Sequence, residues 1–144
     1  MKTLLITATL FISVAAFAQK EKDLETVSFE ETSEAPVFPG CLELHSEEQN
    51  RKCFSEKVIW YVNSNFNTVK VRPYAKKGRN KLFVHFVITK DGNVTQVHAT
   101  GAPNEILKEA ERAVKSLPHM KPAKVNGEPV NVQYHLPIVF MVEK

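Results

Sequence analysis

The strongest constraint on this chain lies near its C-terminus, in thirteen residues, 130–142. The even positions are Val130, Val132, Tyr134, Leu136, Ile138, Phe140 and Val142, all apolar or aromatic; the odd ones are Asn131, Gln133, His135, Pro137, Val139 and Met141. Period two over this length puts one face on a core and leaves the other largely wet, as in an antiparallel strand on one side of a core. A helix would scatter the even positions around its circumference. Pro137 cannot donate to a ladder and is confined to edge strands, strand ends or bulges. An edge strand is also where an extended peptide can add by backbone pairing. On these residues alone, a terminal strand that only completes a sheet is the plainer reading.

The chain has 144 residues, room for one domain. Its formal charge is +3, with Lys and Arg spread along the sequence, so nucleic-acid binding is not suggested. Residues 1–18 read as a cleaved secretory signal: Lys2, an apolar run from Leu4 to Phe17, and Ala16-Phe17-Ala18 before Gln19. The run falls short of the roughly 20 apolar residues that span a bilayer. Export to an oxidising compartment favours a disulfide between Cys41 and Cys53, the only two cysteines. Such a loop would stabilise the fold by on the order of 3 kcal/mol. Their spacing excludes a CxxC redox site, and zinc held by these thiols with distant histidines is the alternative.

Residues 19–35 are rich in Lys, Glu, Thr and Ser and read as a flexible polar lead-in to a domain over 36–144. A helix is expected over 47–63: Ser46 with Gln49 makes a capping box, and Phe54, Val58, Tyr61 and Val62 form its buried stripe. Trp60 falls off that stripe, at the core edge. Residues 63–79 read as an irregular connection. Leu82, Val84, Phe86 and Ile88 then alternate, Asp91-Gly92-Asn93 supplies a turn, and 94–100 returns as the second strand of a hairpin. A second helix, opened by Pro103 or Asn104, presents Ile106, Leu107, Ala110, Ala113, Val114 and Leu117 inward. Glu105, Lys108, Glu109, Glu111, Arg112 and Lys115 face out, and Pro118 stops it. The order predicts an α+β domain, a three-stranded antiparallel sheet packed against two helices.

Several short sequences follow one another in a familiar order: Pro36-Val37-Phe38-Pro39-Gly40-Cys41, Cys53-Phe54, Phe86-Val87-Ile88, Asp91-Gly92-Asn93-Val94, Glu109 to Val114, Leu117-Pro118, Met120-Lys121-Pro122, Asn126 to Val130, and Leu136 to Phe140. In that order they resemble the C-terminal domain of the TonB energy transducers, in the form common among Bacteroidetes. The resemblance implies a non-enzymatic binding domain in the periplasm of a Gram-negative bacterium. It would dock the TonB-box segment of an outer-membrane receptor, or another envelope protein, by β-strand addition in TonB-dependent transport. It places the docking edge on the last strand, at the backbone of Asn131, Gln133, His135, Pro137 and Val139. A homodimer through the same edge stays open. No nucleic acid and no small-molecule substrate are expected.

The chain departs from the family pattern in its N-terminal half. A full transducer keeps an inner-membrane helix and a long proline-rich arm, whereas only about twenty residues lead into Pro39 here, roughly 70 Å even when extended. The usual Tyr-Pro-x-x-Ala before the first hairpin strand is replaced by Val71-Arg72-Pro73-Tyr74-Ala75. A soluble periplasmic domain is therefore the first expectation, and a complete transducer held in the inner membrane by an uncleaved N-terminus the second. A metal-binding or enzymatic protein built on His45, His85, His98, His119 and His135 is the third. It lacks HxxxH or HExxH spacing, a nucleophile motif and a phosphate loop. His85 and His98 are expected to approach across the hairpin, with His135 on the wet face of the last strand. No catalytic residue, cofactor or metal ligand is assigned.

Overall fold

The computed structural model describes residues 26–41 and 46–143. The expected signal over 1–18 and the first part of the lead-in lie outside them. The domain is α+β, but its sheet has four strands and is mixed. Strands β1 (Thr26–Ser28), β2 (Gly78–Ile88), β3 (Val94–Thr100) and β6 (Asn131–Val142) lie in the order β1-β6-β2-β3. Strand β2 pairs antiparallel with β3 and, from Gly78↔Val142 to Ile88↔Val132, with β6 in one unbroken register.

The fourth strand comes from the stretch expected to be a flexible lead-in. Strand β1 runs parallel to β6 through Thr26↔Asn131, Val27↔Val132 and Ser28↔Gln133. Its polar composition hides a few decisive apolar contacts. Phe29 stacks on Phe54 at 5.3 Å and meets the edge of Tyr134 at 5.0 Å, while the Arg51 guanidinium sits 5.1 Å above the Phe29 ring. Ala35 is buried. From Thr26 onwards this segment belongs to the fold.

Helix α1 (Glu47–Asn65) begins at the Ser46/Gln49 capping box and buries Asn50, Phe54, Val58 and Val62 at a spacing of four. Tyr61 is only partly buried, and its hydroxyl donates to the Ser116 carbonyl at 2.6 Å. Trp60, expected at the core edge, is 65% exposed, because it projects from the side of α1 away from the sheet. Cys41 and Cys53 form a disulfide that fastens the chain before α1 to its second turn. The connection after α1 contains a short helix, α2 (Thr68–Val71), capped by Asn67, and a 3-10 turn at Arg72–Tyr74.

Helix α3 (Asn104–Lys115) buries Ile106, Ala110, Ala113 and Val114 as expected, but also Glu109, expected on its wet face and 1% exposed. The chain over 66–71 folds across that side of α3. Glu109 accepts from the Asn67 backbone N–H at 3.0 Å, from Lys70 Nζ at 3.2 Å and from Arg112 Nε at 3.1 Å. Burial without these partners would be prohibitive.

The core lies between the helices and one sheet face, around Leu82, Val84, Phe86, Ile88, Val132, Leu136 and Ile138. At the hairpin tip Gly92 has φ +85°, and a Cβ there would stand 1.8 Å from the Met120 carbonyl oxygen. The crossover from α3 to β6 holds a two-residue hairpin, β4 (Lys124–Val125) and β5 (Glu128–Pro129), turned by Asn126 and Gly127 at φ +50° and +80°. Bridges Val37↔Lys121 and Glu34↔Lys124 tie this crossover to the segment before α1.

The open side of the last strand as a candidate functional site

Strand β6 has two very different sides. One is laddered to β2 along its whole length. The other meets β1 at Asn131–Gln133, and beyond that no strand among the described residues pairs with it. Asn131 and Gln133, both expected in the docking edge, therefore already face β1. Asn131 is fixed further, its Oδ1 accepting from the Lys90 N–H at 2.8 Å.

The direction of each backbone group on β6 follows from the hairpin closure. The Thr89 N–H donates to the Asn93 carbonyl at 2.8 Å, so odd residues of β2 turn their backbone groups toward β3 and even ones toward β6. The unshifted register pairs even residues of β2 with even residues of β6. Odd residues of β6 therefore aim N–H and C=O away from β2. On the open side these are His135, Pro137, Val139 and Met141, with Pro137 offering only its carbonyl. That is the place where a proline costs the existing ladder nothing.

The N-terminal limit of the open side is rigid. Tyr134 packs against Phe29, Phe54 and Phe86, with centroids at 5.0, 5.2 and 5.7 Å, and its hydroxyl donates to Ser55 Oγ at 3.1 Å. Burial pushes its phenol above the usual tyrosine range, opposed by the Ser55 hydrogen bond. Past Tyr134, the even side chains Leu136, Ile138, Phe140 and Val142 anchor the strand in the core.

The outer sheet face beside this edge is partly apolar. Phe83 lies opposite Pro137, Lys81 opposite Val139 and Arg79 opposite Met141. Phe83, Val139 and Met141 are exposed, Met141 by 62%, and Lys81 Nζ sits 5.1 Å over the Phe83 ring. The sequence reading missed Met141 and Phe83; their period-two position on the wet face was the available signal. A cavity of about 570 Å3 lies elsewhere, lined by Glu47, Asn50, Lys121 and Lys124 among others, and shares no residue with the β6 edge.

The model of the C-terminal domain of the Gram-negative bacterial TonB protein matches residues 75–142. Over that stretch, a little under half of its length, the chain matches the TonB C-terminal domain family. This is a family of non-catalytic interaction domains. The matched stretch starts just before β2 and ends with β6, so it contains the hairpin, α3 and the open edge, whereas β1, α1 and the disulfide precede it. The solution structure of the Helicobacter pylori TonB C-terminal domain is similar at 20% identity and a TM-score of 0.47, covering 71% of this chain and 88% of that one. No curated protein matches the chain. Among the described residues, no helix is long and apolar enough to cross a membrane.

Proposed function

We propose that this chain is a non-enzymatic binding module of the Gram-negative envelope, acting in the periplasm. The open side of β6 would take up the TonB-box segment of an outer-membrane receptor, or an extended segment of another envelope protein, in TonB-dependent transport. The observation that carries this reading is the row of outward backbone groups at His135, Pro137, Val139 and Met141 on a strand held in register by β2. Such a row offers main-chain hydrogen bonds to an added strand, and alternate side chains on the outer face supply selectivity. The proposed docking segment thus shifts from 131–139 to 135–141, because β1 covers the first part.

Nuclear magnetic resonance titration with synthetic TonB-box peptides tests this. Binding is expected to perturb the amides of His135, Val139 and Met141 and slow their hydrogen exchange, leaving the hairpin tip at Gly92 unchanged. Perturbations confined to α1 or to the cavity near Asn50 would place the partner elsewhere and defeat the proposal. Self-association that protects the same amides without peptide would instead assign the edge to a second copy of the chain.

A further inference from the structure

Three histidines form one row across the outer face of the sheet. His98 on β3 is paired with His85 on β2, and His85 is paired with His135 on β6. Residues directly opposite in a ladder point to the same face, so all three imidazoles share it. The two pairings are not equivalent. By the parity set at Thr89 and Asn93, His85↔His135 is a non-hydrogen-bonded pair, in which Cα atoms and side chains come closest. His85↔His98 is the wider, hydrogen-bonded kind. The expected approach of His85 to His98 stands in the β2–β3 register, and beside it Nδ1 of His85 directly contacts Nδ1 of His135, with the rings nearly perpendicular and their centroids 4.3 Å apart.

We infer that His85 and His135 form a two-imidazole site for a divalent first-row transition cation, bridging β2 and β6 on the outer face. Two nitrogens each about 2.0–2.1 Å from one tetrahedral ion stand roughly 3.3 Å apart, so the touching rings need only swing apart slightly to admit it. The alternative without an ion requires one Nδ1 to carry a proton aimed at the other, and protonation of both rings sets two cations against each other. Among the described residues no group of three or more His, Cys, Asp or Glu is placed to hold a metal, so the remaining coordination positions fall to water. Imidazole donors suit Cu2+ and Zn2+, with Cu2+ the tighter.

The test titrates the full chain with Cu2+ and with Zn2+ by calorimetry, and records the electron paramagnetic resonance of the copper form. One equivalent should bind, with hyperfine structure from two imidazoles. H85N and H135N should each weaken binding by about tenfold or more, and H98N far less. Thermal unfolding of the metal-free variants checks that each remains folded. H85F or H135F, which keep a ring at the position, replace any variant that does not. Equal binding by the wild type and the H85N/H135N double variant overturns the inference by placing the metal at His45, His119 or the chain terminus. Absence of stoichiometric binding overturns it outright.

Discussion

Arg112 Nη2 lies 2.5 Å from Glu109 Oε1 and also donates to the carbonyl of Asn65, the last residue of α1. One guanidinium thus closes the end of one helix and pairs with a buried carboxylate on another. The hydrogen bonds from Arg112, and then those from the Asn67 N–H and Lys70, hold Glu109 at a pKa of about 2 against the opposing cost of burial.

A folded-state pKa depressed below the unfolded value contributes stability that is present above the unfolded value, near 4.5, and lost as pH falls toward about 2. The wild type is therefore expected to lose stability across that window. E109Q should lose less there, while being less stable than wild type at neutral pH by about 2 kcal/mol. Urea denaturation at several pH values checks this. Parallel stability-versus-pH curves for the two proteins would show that Glu109 does not contribute.

Phe29 holds β1 in place through its contacts with Phe54, Tyr134 and Arg51. F29A is expected to cost about 2 kcal/mol, less than a fully buried phenylalanine. It should raise amide exchange at Asn131 and Gln133, whose N–H groups face β1, while Ile138 stays protected by β2. Unchanged exchange at Asn131 and Gln133 would mean that β1 is held by something other than this ring.

Proline substitution separates the two sides of β6. V139P removes a donor from the open side and spares the β2 ladder. It should leave the domain folded and weaken peptide binding by roughly two- to tenfold, the equivalent of one hydrogen bond. I138P removes a donor that faces β2 and should unfold the domain at much milder denaturant. If V139P binds peptide like the wild type, strand addition at this edge is wrong.

Replacing Cys41 and Cys53 together by serine should lower stability by about 3 kcal/mol. The open side of β6 belongs to other elements, so peptide affinity of the folded double variant should be unchanged. A folded variant that no longer binds would tie the disulfide region to the docking surface.

The periodic elements were readable from their sequence because each carries its own signal. The alternation over 130–142, the capping box at Ser46 and the Asp91-Gly92-Asn93 turn all stand where the structure puts β6, the start of α1 and the hairpin tip. What escaped depends on partners distant in sequence. Strand β1 is three residues long, and Phe54, Tyr134 and Arg51, all distant in sequence, explain why Phe29 stays. Glu109 reads as a surface charge until the chain over 66–71 lies across it. His85 has two cross-strand neighbours, and the choice between them rests on which way its N–H points, a property of the hairpin closure four residues away.

The register of β6 against β2 also bears on force. Eleven residue pairs join the two strands without a shift. If a segment is taken up on the far side of β6 as proposed, a pull along the strand direction would load its own bonds to β6 together, in shear, while the unshifted β2 ladder keeps β6 from yielding. Pulled sideways, the same segment would peel off one bond after another. The proposed grip would therefore be directional, strong along the strand and weak across it, and a partner would be released by changing the angle of the pull.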